Sequence, residues 1–503
     1  MCDRTACTMD ALNPQPRFSI VIPVLNRADT LAATLRSCTS QLGDDIRIIV
    51  SDNLSEDGSR NIAEAFARED ARIEMVQPPR RLGQARHWEF ALGQVKTGYF
   101  ILLGADDALL PQSVSRVREL TALHPEIRAF HGVYPPMYTY PEVGNAHAGH
   151  LTLSLQPLTE TRISEEWLKR LFEGQGSVLD LPFAYGMAWM DIAIMRRVEE
   201  KTGSMIPCRT PPVFLAVIAA LSCETYLCVV PGFGCPAASA NSIGVSVHSP
   251  SGDRQKDLQY FEETGIELKD VPFHPFIGSS RSEHMHVAET LLTMRDHGLL
   301  PSDVNISWDR LVANAHRELA SGDWSPADRE LNVTHLVKAS QHLGCEHIMK
   351  LALEHPDLAE WQAALPFEQT RTYCPPPLLT LDLRPLGVRD VLGASQIAGL
   401  LLADLQPHTA PRMVSAASEN PAYNTTTVEV LEGVSSMAKM VLGLQQELGK
   451  RTAESNRRAA ERDRAKSQVQ ALRKEVSGLK ASLGDQQRPP KGGWIKRVFR
   501  GGM

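Results

Sequence analysis

The chain has 503 residues, 43% of them apolar and 22% charged, with a formal net charge of −7. That length exceeds one ordinary core, so two or three folded units with tails are expected, and the apolar share is enough to fill them. The small negative charge argues against an extended nucleic-acid surface and leaves partners that bind locally.

Residues 1–16 open "MCDRTACTMDALNPQP", with acids and prolines where a secretion signal needs a basic flank and an apolar stretch, and a disordered start is expected. The nine cysteines are scattered and odd in number, which suits a reducing cytoplasm better than a disulfide framework. Four of them, Cys208, Cys223, Cys228 and Cys235, share one segment but lack the paired spacing of a zinc site.

From residue 18 to 107 two textures alternate. "FSIVIPV" (18–24), "IRIIVSD" (46–52), "RIEMVQ" (72–77) and "YFILLGAD" (99–106) are short and rich in β-branched or aromatic residues, as strands buried on both faces should be. Helix-like stretches lie between them, and this spacing implies an α/β, doubly wound, mostly parallel sheet with right-handed crossovers. Ligands bind such sheets beyond the carboxyl ends of the strands. Polar residues gather there: "PVLNRAD" after the first strand, Asp52 and "NLSEDGS" after the second, "PPRRLG" after the third, and Asp106 with Asp107 after the fourth. Four strand ends on one rim predict a cleft with carboxylates on one side and Arg27, Arg80 and Arg81 nearby. Neither standard phosphate loop follows any strand, so phosphate charge falls to a metal and to arginines.

Residues 112 to about 245 continue with helix and strand signals, among them "RISEEWLKRLFEGQG", the apolar "VFLAVIAALSC", expected as a buried core helix, and the strand-like "TYLCVVPGFG". A proline- and glycine-rich loop follows. Residues 251–425 read as a mainly helical accessory region, interrupted by "YCPPPLLTLDLRPLG", and carry no evident chemistry.

Apolar residues at 3-4 spacing then run from Val434 to Leu448 and resume in register from Ala465 to Leu483, so residues 430–484 predict a coiled coil and a homo-oligomer. A single solvated helix is the alternative. The tail, 485–503, ends "KGGWIKRVFRGGM"; apolar and basic residues interleave without an acid, a segment able to lie on an anionic membrane face or to trail as a basic tail.

The strand-end phrases "FSIVIPVLNR", "IIVSDNLSEDGS", "RLGQARHWEFAL" and "YFILLGADDALLP", in this order and spacing, resemble the N-terminal half of family 2 glycosyltransferases of GT-A fold. The resemblance covers residues 17–115 well and 116–245 loosely, and implies a GT-A domain over 17–250. It implies donor contacts at Pro23, Asn26, Arg27, Asp52, Arg81, Gly83 and Asp106, and a divalent cation, Mn2+ or Mg2+, held by Asp107 as the direct ligand with Asp106 nearer the donor's ribose or sugar. Ala105 replaces the first acid of a three-acid form, leaving two carboxylates. The activity implied is transfer of a hexosyl group, with inversion, from a nucleotide sugar to a hydroxyl of a glycan or other acceptor, in cytoplasmic polysaccharide or glycoconjugate synthesis, with membrane contact at most peripheral.

Two departures bear on this. Pro212, in "RTPPVFLAVIAAL", stands where the family often has the acidic base, and His87 and Glu89 flank Trp88 where it often has asparagine. The titratable alternatives for the base are Asp180, ranked first, then His248, with Asp191 and Glu224 read as structural and solvated. A catalytically degenerate binding or scaffold protein carried on the coiled coil is the competing reading.

Overall fold

In the computed structural model the described residues are 17–242, 274, 275, 277, 282–321, 324–367, 376, 378–403 and 412–414. His248, the 430–484 repeat and both terminal tails lie outside them.

The first four strands form as the sequence texture predicts: β1 (Phe18–Val24), β2 (Ile46–Asp52), β3 (Ile73–Val76) and β4 (Tyr99–Leu102). They pair in parallel in the order β4-β1-β2-β3. Helices α1 (Leu31–Thr39), α2 (Ser59–Glu69) and α3 (Gln84–Leu92) connect them. In β1, Phe18, Ile20 and Ile22 pack into one core cluster and Val21 into the other, so alternate side chains feed both faces of the sheet. The fourth strand stops at Leu102, short of the expected end at residue 106. The chain turns over Gly104–Asp107, where the Asp107 N–H donates to the Gly104 carbonyl at 3.1 Å.

Beyond this turn come β5 (Ala108–Leu109), α4 (Ser113–Leu123), β6 (Ala129–Gly132), β7 (Met137–Thr139), β8 (His150–Ser154) and β9 (Leu158–Ile163). They are followed by α5 (Ser164–Phe172), β10 (Ala188–Asp191), α6 (Ala193–Thr202), α7 (Pro211–Leu221) and β11 (Thr225–Val230). Short strands β12 (Gly234–Cys235) and β13 (Ala237–Ala238) follow, and β14 (Leu378–Asp382) and β15 (Arg412–Val414) come much later. The main sheet has nine strands in the order β15-β9-β11-β6-β10-β4-β1-β2-β3. The parallel expectation holds across β1–β4; the second half is mixed, because β10 enters antiparallel between β4 and β6, and β9 runs antiparallel to β11. Since β10 opposes both neighbours and β11 pairs in parallel with β6, strands β1, β2, β4, β6 and β11 all point their carboxyl ends at one edge. That edge carries the site.

The expected core helix is α7. It is buried along nearly its whole length, and a short turn delivers it to the start of β11. Its N-terminus therefore lies toward the carboxyl edge of the sheet. Pro211 and Pro212 fill its first turn, where helix N–H groups have no intrahelical acceptor and proline loses nothing.

The later helices Glu283–Asp296, Trp308–Ser321, Pro326–His342, Glu346–Glu354 and Leu358–Ala364 follow one another as packed neighbours, the first of them against α7. Residues 378–403 return to the N-terminal part of the chain: β14 pairs antiparallel with β8 in a separate four-stranded sheet of order β13-β7-β8-β14, and the helix Val391–Leu402 packs on α1 and β5. Among the described residues no helix is long and apolar enough to cross a membrane.

Candidate functional site

Asp52 ends β2 and is buried; its Oδ1 accepts the Ser55 N–H at 3.1 Å and its Oδ2 the Gln77 side-chain amide at 3.0 Å. The next residue, Asn53, pins the third strand's loop: its Nδ2 donates to the Leu82 carbonyl at 2.7 Å and its Oδ1 accepts the Leu82 N–H at 2.9 Å. These two hydrogen bonds fix the "PPRRLG" segment against β2. Arg81 adds a contact from Nη2 to the Leu54 carbonyl at 3.2 Å, and Gly83 caps α3. Leu54 sits at φ 60, a left-handed conformation that costs a non-glycine residue about 1 kcal/mol or more, so the loop is held against strain.

After β1 the chain turns at Asn26, φ 52, whose N–H donates to Ser55 Oγ at 3.0 Å and whose Oδ1 accepts the Glu56 N–H at 2.9 Å. Arg27 is committed to the backbone. It reaches the carbonyls of Leu25, Asn26 and, at 2.7 Å, Asn241. Two of the three arginines expected to line a phosphate site thus hold loops in place, Arg27 the first and Arg81 the second. Pro23 lies within β1, partly buried, opposite Ser51 of β2.

The fourth strand end brings Asp106 and Asp107 together, both buried. Asp107 accepts backbone N–H groups on both oxygens, Ala237 on Oδ1 at 2.8 Å and Gly104 on Oδ2 at 3.0 Å, while its own carbonyl accepts the Thr34 hydroxyl at 2.7 Å. Burial first, and then the neighbouring Asp106, push the Asp107 carboxyl up to about 8 despite those two N–H donors. Asp106 Oδ2 accepts the hydroxyls of Ser239, at 2.7 Å, and Ser242. Its Oδ1 accepts no hydrogen bond from a described residue. No lysine or arginine among the described residues pairs with either carboxylate.

Gly104 makes this crowding possible. A Cβ there would stand 2.4 Å from the Tyr185 hydroxyl and 2.6 Å from Asp107 Oδ2. Tyr185 in turn stacks on Trp88 of α3, ring centroids 5.0 Å apart, and its hydroxyl is held strongly protonated by burial and then by the two aspartates. The neighbours of Trp88 are structural. His87 donates to or accepts from Ser51 Oγ at 2.9 Å and is kept neutral, lowered to about 4 by burial; Glu89 accepts the Met205 N–H at 2.6 Å and the Ser204 hydroxyl at 2.7 Å.

Asp52 and the acidic pair share the carboxyl edge with β1 between them. Asp52 ends β2, and the acidic pair follows β4 after the turn at Gly104.

Residues 19–132, from β1 to the end of β6, match the model of the family Glycosyl transferase family 2. The matched stretch is under a quarter of the chain. It contains Asp52, Asp106 and Asp107. A curated relative, the GalNAc(5)-diNAcBac-PP-undecaprenol beta-1,3-glucosyltransferase of Campylobacter jejuni, is 27% identical over 105 residues, 21% of this chain and 34% of the relative. The chain thus spans about a third of the length of that relative. Among solved structures, S. aureus TarS 1-349 in complex with UDP-GlcNAc covers 68% of this chain and 92% of its own at 12% identity and a TM-score of 0.37. The mannosyltransferase PcManGT from Pyrobaculum calidifontis, in complex with GDP-Man and Mn2+, covers 65% and 86% at 13% identity and a TM-score of 0.30.

Asp180, ranked first as the base, is occupied elsewhere. It closes a capping box with Ser177, accepting the Ser177 N–H at 3.0 Å, and its carbonyl accepts Arg162 Nη1 at 2.9 Å and the Tyr226 hydroxyl at 2.8 Å. It shares neither a hydrogen bond nor a charge interaction with Asp106 or Asp107. Asp191 pairs with Arg128 at 2.6 Å and Glu224 sits in the turn before β11, both as expected. Sequence reading missed Asn53, Tyr185, Ser239 and Ser242. Asn53 was signalled by its place next to Asp52; the two serines lay in a stretch legible only as loop.

Proposed function

We propose that the chain is a nucleotide-sugar-dependent glycosyltransferase of GT-A fold that transfers a hexosyl group, with inversion, to a hydroxyl of a glycan or glycoconjugate acceptor. The observation that carries this reading is the buried Asp106–Asp107 pair at the end of β4, on one edge with Asp52, inside the stretch that matches the family. The relatives' own ligands, UDP-GlcNAc in one case and GDP-Man with Mn2+ in another, are of the class proposed.

The residues present fit a divalent cation. Two adjacent buried carboxylates without a basic partner oppose each other's ionisation, and a cation between them would offset that repulsion. Among the described residues no cluster of three ligating side chains occurs, so the protein would supply two acids and leave further ligand positions to the donor and water. Asp106, with Oδ1 unengaged, offers the ligand oxygen; Asp107, held from behind by two N–H groups, contributes charge. This ordering differs from the one the family resemblance implies, which puts Asp107 first. When bound, Mn2+ or Mg2+ would neutralise the diphosphate as it leaves. Asp52 and the Asn26–Arg27 turn receive the nucleoside, Asp52 accepting from its ribose or base. The cytoplasmic setting, self-association through residues 430–484 and contact of 485–503 with an anionic membrane face belong to the same proposal and rest on sequence alone.

Pro212 at the first turn of α7 and the structural engagement of Asp180 favour one second reading, a binding or scaffold protein that keeps the donor edge without transfer. Calorimetry against a panel of nucleotide sugars separates the two when combined with a turnover assay. We expect binding in Mn2+, its loss in chelator, and at least a tenfold loss in Asp106→Asn. Equal affinity in chelator removes the metal from the reading; binding of a donor that is never turned over leaves the scaffold.

A further inference from the structure

The segment that follows β12 lies across the acidic pair. Ser239 is fully buried and Asp106 is 6% exposed. Each serine hydroxyl carries one proton, and both are directed to Asp106 Oδ2. Ser242 Oγ in turn accepts the Ser239 N–H at 2.8 Å, so the two serines form a closed turn with their hydroxyl oxygens 3.1 Å apart. The same segment gives the Ala237 N–H to Asp107 Oδ1. Further on, Asn241 meets the loop after β1 twice, through Arg27 Nη2 on its carbonyl and through its amide on Asp29 Oδ2 at 3.3 Å.

With the Gly104 N–H on Asp107 Oδ2, three of the four carboxylate oxygens of the pair are engaged by hydroxyl or backbone donors. One, Asp106 Oδ1, is left to point elsewhere. Two hydroxyl donors converging on one oxygen fix the rotation of the Asp106 carboxylate.

We propose that Ser239 and Ser242 are positioning residues that turn Asp106 so that Oδ1 alone addresses a divalent cation, setting the affinity of that site and its one-oxygen coordination. The proposal rests on the cation assigned to the acidic pair above and adds the residues that aim it. They act through Asp106 and touch neither the donor nor the cation. The segment also ties the cation station to the loop after β1, because Ser239 and Asn241 are two residues apart in one short turn.

The test is Mn2+ binding by the full chain, read from loss of the free-ion paramagnetic resonance signal, alone and with each nucleoside diphosphate in turn. Proton relaxation of the bound ion reports its remaining waters. The Ser239→Ala, Ser242→Ala double variant is expected to raise the Mn2+ dissociation constant about tenfold or more and to change the bound-water count. The double threonine variant, which keeps both hydroxyls, is expected to recover most of the affinity. Should the double alanine variant fail to fold, Ser242→Ala alone, at the more exposed of the two positions, is expected to weaken Mn2+ severalfold with its thermal transition unchanged. Wild-type affinity and water count in the alanine variants overturn the inference. A wild-type chain that binds no Mn2+ under any of these conditions overturns the cation itself, a failure recognisable because it occurs before any substitution is made.

Discussion

At the scale of single residues, the site is a set of carboxylates whose oxygens are almost all spoken for, and small changes should propagate. Gly104→Ala places a Cβ within 2.4 Å of the Tyr185 hydroxyl and 2.6 Å of Asp107, both rigidly packed, so Tyr185 must leave its stack on Trp88. We expect a loss of about 1–3 kcal/mol in denaturant unfolding and loss of cation-dependent nucleotide binding. Asn53→Ala removes both bonds to Leu82 and leaves a buried carbonyl and N–H to find new partners, and is expected to cost about 1–3 kcal/mol in the same measurement. Asp180→Ala should behave differently from the loss of a base. Removing its capping box lowers the thermal transition by the equivalent of about 1 kcal/mol and leaves donor affinity in place. A fall in turnover with an unchanged melting temperature would return Asp180 to the chemistry. Asp52, Asp106 and Asp107 were legible because an acid ending an apolar strand is conspicuous in sequence. Ser239 and Ser242 were not, because their partner Asp106 is more than 130 residues away and nothing local marks a serine that serves a distant carboxylate.

At the scale of elements, the packing of the helix Glu283–Asp296 against α7 buries a carboxylate. Glu289 is 2% exposed; its Oε1 accepts the His274 N–H at 3.3 Å, and its Oε2 has no hydrogen-bond partner among the described residues. Burial raises it from the ordinary 4.5 to about 7, against the opposing pull of that N–H, Arg209 and Thr210. A carboxyl raised on folding binds its proton more tightly in the native state, so stability is lost as pH climbs from about 4.5 to 7 and stays lost above. A shift of this size corresponds to about 3 kcal/mol. Glu289→Gln should therefore unfold at higher denaturant than wild type at pH 8, and the two curves should converge near pH 4. Parallel curves at both pH values would show that Glu289 is ionised without penalty. The elements themselves were largely legible, since β1–β4 and α7 announce themselves by β-branched runs or length. What eluded sequence was the direction of β10, because a strand's residues fix which faces are buried and not which way its neighbours run.

For the whole molecule, the sheet domain borrows from the far end of the chain. Strand β14 pairs with β8, β15 with β9, and the N–H of Val391 donates to the Tyr140 hydroxyl, itself bonded to the Asp106 carbonyl. A chain ending at residue 250 exposes the apolar faces of α1 and α7 that these later segments cover, and it is expected to be insoluble or to lack a cooperative thermal transition. One ending at residue 422, where the first compact unit closes, should keep the transition of the full chain. Sedimentation of the two lengths then addresses the heptad repeat beyond it: the full chain is expected to run as an oligomer, most simply a dimer, and the chain ending at 422 as a monomer. Equal monomeric sedimentation of both would remove the coiled coil.

By itself the sequence determined the alternation of strand and helix from residue 18 to 107, the edge at which polar residues gather and the acids that mark it, because each of these follows from local periodicity and from what a buried strand can end in. Tertiary structure alone decided that two of the arginines at that edge hold loops, that Asp180 caps a turn, and that residues 237–242 lie on the acidic pair. The reason is physical. A side chain's chemistry is set by its type, but whether its hydrogen-bonding capacity is free or already taken depends on partners that only the folded chain brings within 3 Å.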